Sequence, residues 1–210
     1  MTGERLRLVS VVAFLACFTV LAFLANRRAH LPGDVRLTLW VQGWQWSGLD
    51  HLALITNRGL NGTPLTLGGV SVVVCFLVMK WRVEAVVLAA AIVIRALNTV
   101  FKKMLESPRP TSELVAVTDP SVHFGFPSGH AVGAVLVLGA AAWSLSRHCA
   151  SQWLRFAIWF CAVAVMLQTG IGRVRVGVHW PSDVLGAWLW GTAALLVLTG
   201  LATRWERRAR

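Results

Sequence analysis

The apolar residues of this chain run in long blocks broken by short polar stretches. They follow neither the 3.6-residue period of an amphipathic helix nor the alternation of a half-buried strand. Several blocks approach the ~20 residues that a helix needs to cross ~30 Å of hydrocarbon. Six candidate spans follow, at about 8–25, 63–79, 83–101, 131–145, 156–171 and 183–203. The expected fold class is all-α and integral to a membrane, one domain over residues 1–210, with both termini on one side because the number of spans is even. The first block is longer than the ~7–15-residue core of a secretory signal and lacks a small-residue cleavage pattern, so it reads as a retained anchor. Between the first two spans, residues 34–61 place Leu37, Trp40, Val41, Trp44 and Leu52 on one side of a helix, with Arg36, Gln42 and Gln45 turned away. Such a segment either lies in the headgroup layer, the depth indole rings prefer, or packs on the bundle as a tryptophan-rich loop.

Composition strengthens the membrane reading. Of 210 residues, 56% are hydrophobic and 14% charged, where soluble domains are nearer a quarter charged. A net charge of +11 would suit a nucleic-acid binder if the cations formed a tail or one face. They sit instead between the apolar blocks, so the expected partner is the bilayer and not nucleic acid. The side holding the termini carries Arg5, Arg7, Lys80, Arg82, Arg147, Arg155, Arg204, Arg207, Arg208 and Arg210. The other side carries Arg27, Arg28, Arg36, Arg58, Lys102, Lys103, Arg109, Arg173 and Arg175. The two sets nearly balance, and setting aside cations that belong to a site places the termini in the cytoplasm. Cys17, Cys75, Cys149 and Cys161 have neither metal-ligand nor redox spacing, so no disulfide and no zinc site is expected.

Three polar clusters interrupt the apolar pattern, and six spans bring all three to one membrane face. The first is Lys102-x6-Arg109-Pro110 and the second Pro127-Ser128-Gly129-His130; the third runs from Gly172-Arg173 through His179 to Asp183. Lys102, Arg109 and Arg173 taken singly are charges at helix ends, but brought together they imply an anionic substrate such as a phosphate. Ser128 suits the N-cap of the fourth span, and Gly129 leaves the first-turn N–H groups open to an anion. His130 beside them is placed to donate a proton to a leaving oxygen, or else is an interfacial histidine bound to a carbonyl. Pro181 suits a helix start, which lets Asp183 reach back to His179 and leave its other ring nitrogen free to attack; alternatively Asp183 serves only the helix dipole. No carboxylate cage for a metal is present, so no cofactor and no metal are expected.

Together these motifs resemble the signature of the type 2 phosphatidic acid phosphatase superfamily, by motif over Lys102 to Asp183 and by helix layout over the whole chain. The resemblance implies a helical core shared with soluble acid phosphatases and vanadium haloperoxidases, set here among membrane lipid phosphatases. It implies that His179 is a nucleophile forming a phosphohistidine, that His130 is general acid and then base, and that Asp183 orients His179. Lys102, Arg109, Ser128, Gly129 and Arg173 would bind the phosphate. The implied substrate is a lipid monophosphate or pyrophosphate such as phosphatidylglycerol phosphate, phosphatidic acid or undecaprenyl pyrophosphate. The implied place is a bacterial inner membrane, with the site on the periplasmic or extracellular side. The family usually has Ser where this chain has Gly172, which implies altered phosphate affinity. A lipid phosphotransferase would use the same phosphohistidine, and a lipid-phosphate flippase would need the cations but not the histidines. Outside the motifs, Arg95 and Asn98 share a helical face with Lys102, a stripe expected to face the interior and buttress the site.

Overall fold

A computed structural model describes residues 3–45, 47–60, 62–118 and 123–209. Among these, regular structure is helical throughout. The order is α1 (Gly3–Arg27), α2 (Asp34–Gln42), α3 (Ser47–Gly59), α4 (Gly62–Val78), α5 (Arg82–Ala96) and α6 (Asn98–Leu105). Then α7 (Gly129–Gly133) continues through a π-helical turn, Ala134–Leu138, into α8 (Gly139–Arg147), followed by α9 (Gln152–Arg175) and α10 (Pro181–Ala209). Among the described residues five helices are long and apolar enough to cross a bilayer: 3–27, 82–105, 129–147, 152–175 and 181–208. A sixth span results if residues 50–59 and 62–78, bent by 65°, count as one. The helices overrun the apolar blocks because hydropathy marks the hydrocarbon edge while a helix stops at its caps. Ser151, for example, accepts from Leu154 N at 3.4 Å and opens α9.

The distribution of side chains is inverted relative to a water-soluble bundle. Val78 is 77% exposed and Val93 67%, whereas Asp34, Glu84, Asn98, Ser128, Arg173, His179 and Asp183 are buried. Apolar side chains lose nothing by facing lipid, while polar groups must find partners inside. The most enclosed element is the α7–α8 rod: Ala131, Val132 and Leu136 are fully buried among Leu88 and Ala91 of α5 and Ala187 of α10. Close approach depends on small residues, since a Cβ on Gly139 would lie 2.5 Å from Leu195 Cδ2.

Helix α1 runs antiparallel to α10, with Arg204 pairing with Glu4 at 3.2 Å, so the start of α1 and the end of α10 lie together. The same end holds Glu84, bonded to Arg147 at 3.1 Å, and Arg147 also binds Glu206 at 2.6 Å. The 29 residues of α10 span about 43 Å, and Pro181 therefore starts at the opposite end of the bundle.

The segment at 34–61 folds as α2 and α3, both packed against α9; its boundary residue Asn61, like Arg210, lies outside the described residues. Val41 turns inward, but Leu37 and Trp40 of the expected apolar face are exposed, and the inward face of α2 is completed by Asp34 and Thr38. Gln42, expected to face away, reaches in: its Nε2 donates to Ala116 O (2.7 Å) and Arg175 O (3.0 Å), and its Oε1 accepts from Ala116 N (3.2 Å). At this end of the bundle the loop carbonyls need donors more than the core needs leucine.

Candidate active site

The turn between α9 and α10 is built by two local motifs. Val178 N bonds Arg173 O (3.2 Å) and Gly177 N bonds Val174 O (3.0 Å), which is a Schellman closure with Gly177 at φ 69°. A Cβ on Gly177 would lie 2.0 Å from Ala116 O, so no other residue fits this turn. On the α10 side, Asp183 in the first turn reaches back to accept from Trp180 N at 3.0 Å, half of a capping box. The same oxygen, Oδ2, lies 3.1 Å from His179 Nδ1. Trp180, His179 and Asp183 are all buried. Burial pushes the His179 imidazole well below its ordinary pKa, and Lys102, Arg109, Arg173 and His130 around it push the same way. The ring is therefore neutral, and with Nδ1–H donating to the carboxylate its Nε2 carries the lone pair.

Two of the three cations are held by main-chain carbonyls. Lys102 Nζ donates to Phe124 O (2.7 Å) and Gly125 O (3.2 Å), leaving a third N–H. Arg109 Nε donates to His123 O, and its Nη1 to Val178 O at 2.6 Å, tying the first motif to the loop that carries His179. Arg173 is buried at the end of α9.

Ser128 occupies the N-cap position of α7, and its N–H donates to Asp183 O at 3.1 Å, joining the second and third motifs directly. Its hydroxyl makes no capping bond, contrary to what an N-cap serine implies; Ser128 Oγ is buried with no hydrogen-bond partner among the described residues. His130 Nε2 is likewise buried without a partner, and the Asn57 backbone lies within hydrogen-bonding reach of the ring. Gly129 packs against Asn98 and Lys102.

These groups border one cavity of about 1220 Å³, lined by Lys102, Arg109, Gly129, His130, Arg173 and His179 among others. Ser128 and Asp183 stand behind that wall. The structure thus gathers all eight residues singled out from the motifs at the end of the bundle away from the termini. The stripe on the third span is interrupted at Leu97, between α5 and α6. Arg95 still lines the cavity, and Asn98 Nδ2 donates to Pro127 O at 3.2 Å.

Two contributions were not anticipated. Asp34 accepts from Ser182 N (3.0 Å), Ser182 Oγ (2.7 Å) and Leu31 N (2.7 Å), pinning the start of α10 and with it the His179 turn. Its signal was faint: one of nine acidic residues, following a glycine at a helix start. The second is α3, which brings Asp50, Asn57 and Arg58 to the cavity wall. Gly172 makes room for it, since a Cβ there would lie 3.2 Å from Ala53 Cβ.

Residues 80–207 match the family model described as the PAP2 superfamily. Phosphatidylglycerophosphatase B of Bacillus subtilis (strain 168) is 32% identical over 118 residues, 54% of this chain and 55% of the relative, so the match spans about half the length of that protein. Undecaprenyl-diphosphatase of Sulfolobus acidocaldarius is 29% identical over 169 residues, 80% of this chain and 68% of the relative. The crystal structure of a transmembrane PAP2-type phosphatidylglycerolphosphate phosphatase from Bacillus subtilis superposes with a TM-score of 0.80 at 22% identity, covering 93% of this chain and 96% of that one, a likeness of fold.

Proposed function

The chain belongs to the PAP2 superfamily, and from that premise we propose that it is a metal-independent lipid phosphatase working through a phosphohistidine on His179. One observation carries the reading: His130, His179, Lys102, Arg109 and Arg173 border a single cavity. In this reading Nε2 of His179 attacks phosphorus. A P–N bond forms as the P–O bond to the leaving group breaks, and the leaving oxygen takes its proton from His130. Water then attacks the phosphohistidine and passes a proton to His130. The P–N bond breaks, inorganic phosphate departs, and both imidazoles return to their starting states.

Asp183 steadies the positive charge that grows on the His179 ring. Lys102, Arg109, Arg173 and the N–H groups at Gly129 bind the phosphoryl oxygens, doing what a magnesium ion does in other phosphoryl transfers. Among the described lining residues Asp50 is the one carboxylate, and it pairs with Arg175. The names of the relatives support a lipid monophosphate or pyrophosphate as substrate, with phosphatidylglycerol phosphate, phosphatidic acid and undecaprenyl pyrophosphate as candidates. The basic residues left after those of the site are set aside favour cytoplasmic termini and a site on the opposite face, which in a bacterial inner membrane is the periplasmic one.

The test is phosphate release from these lipids by detergent-solubilised protein in excess EDTA. The wild type turns over and His179→Ala does not. Activity that survives His179→Ala, or that EDTA abolishes and magnesium restores, contradicts the proposal.

A further inference from the structure

Arg95 is a charge inside a span that the chemistry above leaves unused. It lies in the last turn of α5 and lines the same cavity as Lys102, His130 and His179. Its Nη1 donates to two neutral acceptors, Thr66 Oγ1 at 2.9 Å and Gly62 O at 3.3 Å. Its Nε is buried with no hydrogen-bond partner among the described residues, and among these no carboxylate pairs with it. Apart from the partial negative charge at the end of its own helix, its neighbours add positive charge. The contacted residues open α4, the positive end of that helix dipole, and Arg58 lines the same cavity. A guanidinium placed only to hold two helices together would be better neutralised by a carboxylate than by the partial charge at the end of its own helix. Here the missing counter-charge is an anion.

The position of Arg95 along α7 indicates which anion. Gly129 and Gly133 are four residues apart on one helical face, about 6 Å along the axis. A Cβ on Gly129 would lie 3.6 Å from Asn98 Nδ2 and 3.9 Å from Lys102 Cε, whereas one on Gly133 would lie 2.8 Å from Arg95 Nε. Arg95 therefore stands one turn further along α7 than the phosphate cradle, toward the middle of the span. We infer that Arg95 forms a second anion subsite, which takes the non-transferred anionic group of a two-anion lipid and so sets substrate preference. That group is either the tail-linked phosphate of a lipid diphosphate or the phosphodiester of phosphatidylglycerol phosphate. The inference rests on the lipid-phosphatase reading.

The experiment compares wild type, Arg95→Gln and Arg95→Lys on two matched pairs: a prenyl diphosphate against its monophosphate, and phosphatidylglycerol phosphate against phosphatidic acid. For Arg95→Gln, KM on a two-anion lipid rises roughly tenfold to a hundredfold, the loss of a charge-assisted contact, while KM on the one-anion lipids moves less than about twofold. Arg95→Lys, which keeps the charge but not the planar fork, falls between. A rise confined to the prenyl diphosphate assigns the diphosphate as source, and one confined to phosphatidylglycerol phosphate assigns the phosphodiester. Equal losses on all four lipids, no change on any, or failure of both variants to fold overturns the subsite. Should the wild type hydrolyse none of the four, the phosphatase reading itself falls. Thermal unfolding with inorganic pyrophosphate then decides the subsite separately: a higher Tm for wild type but not for Arg95→Gln keeps it, and equal shifts reject it.

Discussion

Asparagine at position 183 removes a charge while keeping the side chain's shape, which isolates what the carboxylate does. In the wild type, Oδ2 of Asp183 serves both Trp180 N (3.0 Å) and His179 Nδ1 (3.1 Å). An amide oxygen in the same place still accepts both bonds, so the turn survives. The charge assistance lost from the pair is about 1 kcal/mol. The larger loss comes during the proposed reaction, because phosphorylation at Nε2 would make the ring cationic while Nδ1 keeps its proton. At 3.1 Å and an effective dielectric of about 20 the full attraction is about 5 kcal/mol, and a half-developed charge in the transition state claims about half of it. The ground-state loss is common to both states, so the barrier rises by about 2.7 kcal/mol, roughly a hundredfold in kcat. KM moves less than about threefold, because Asp183 stands behind His179 and does not line the cavity. Steady-state phosphate release with a fixed lipid substrate measures both constants, and thermal unfolding confirms that the variant folds. A kcat within tenfold of wild type, or a loss confined to KM, would refute the assigned role.

Asp34→Ala strands the three donors that now bond the carboxylate, Leu31 N, Ser182 N and Ser182 Oγ. Unfolding in detergent should show a loss of about 3–5 kcal/mol, and a loss under about 1 kcal/mol would mean that the α10 start is held by something else. The His179 pKa lies well below its ordinary 6.5, so on acidification the unfolded chain takes up this proton first. The contribution of His179 to stability is then complete above pH 6.5 and declines as pH falls from there toward the folded value. As the proposed nucleophile, His179 likewise stays neutral below pH 6.5, and an acid limb of kcat/KM assigned to His179 and centred at or above 6.5 would contradict the neutral ring. Gly172→Ser brings a Cβ to 3.2 Å from Ala53 Cβ and 3.3 Å from Ala53 Cα. The expected result is a stability loss of about 1–3 kcal/mol as α3 is pushed outward, and a variant at least as stable as wild type would remove the packing explanation for this glycine.

Much of the fold was legible because a bilayer imposes a length on every crossing element, and the apolar blocks report that length. Their edges were less legible, since Ser151 and Gly177 end helices by capping and turn geometry, beyond the hydropathy boundary. The facing of α2 was harder still. Leu37 and Trp40 look like a buried stripe, yet a lipid-facing position accepts them equally well, and the interior took Asp34, Thr38 and Gln42 for their hydrogen bonds. In the site, the spacing of Pro181 and Asp183 placed the carboxylate on the His179 side because first-turn geometry is local. Contacts such as Ser128 N to Asp183 O and Arg109 to Val178 O depend on how distant segments pack, which no spacing encodes. The idle hydroxyl of Ser128 belongs to the same class: a serine before a helix signals a cap, but here the hydroxyl has no hydrogen-bond partner among the described residues.

The claim on which everything turns is that His179 carries the phosphoryl group in passing. Mixing the protein with a radiolabelled lipid phosphate, quenching in base within the first turnover, and mapping the label by mass spectrometry reads this directly. Label is expected on His179, absent from His179→Ala. Label on any other residue, or a full first turnover of released phosphate with none bound to the protein, would contradict it.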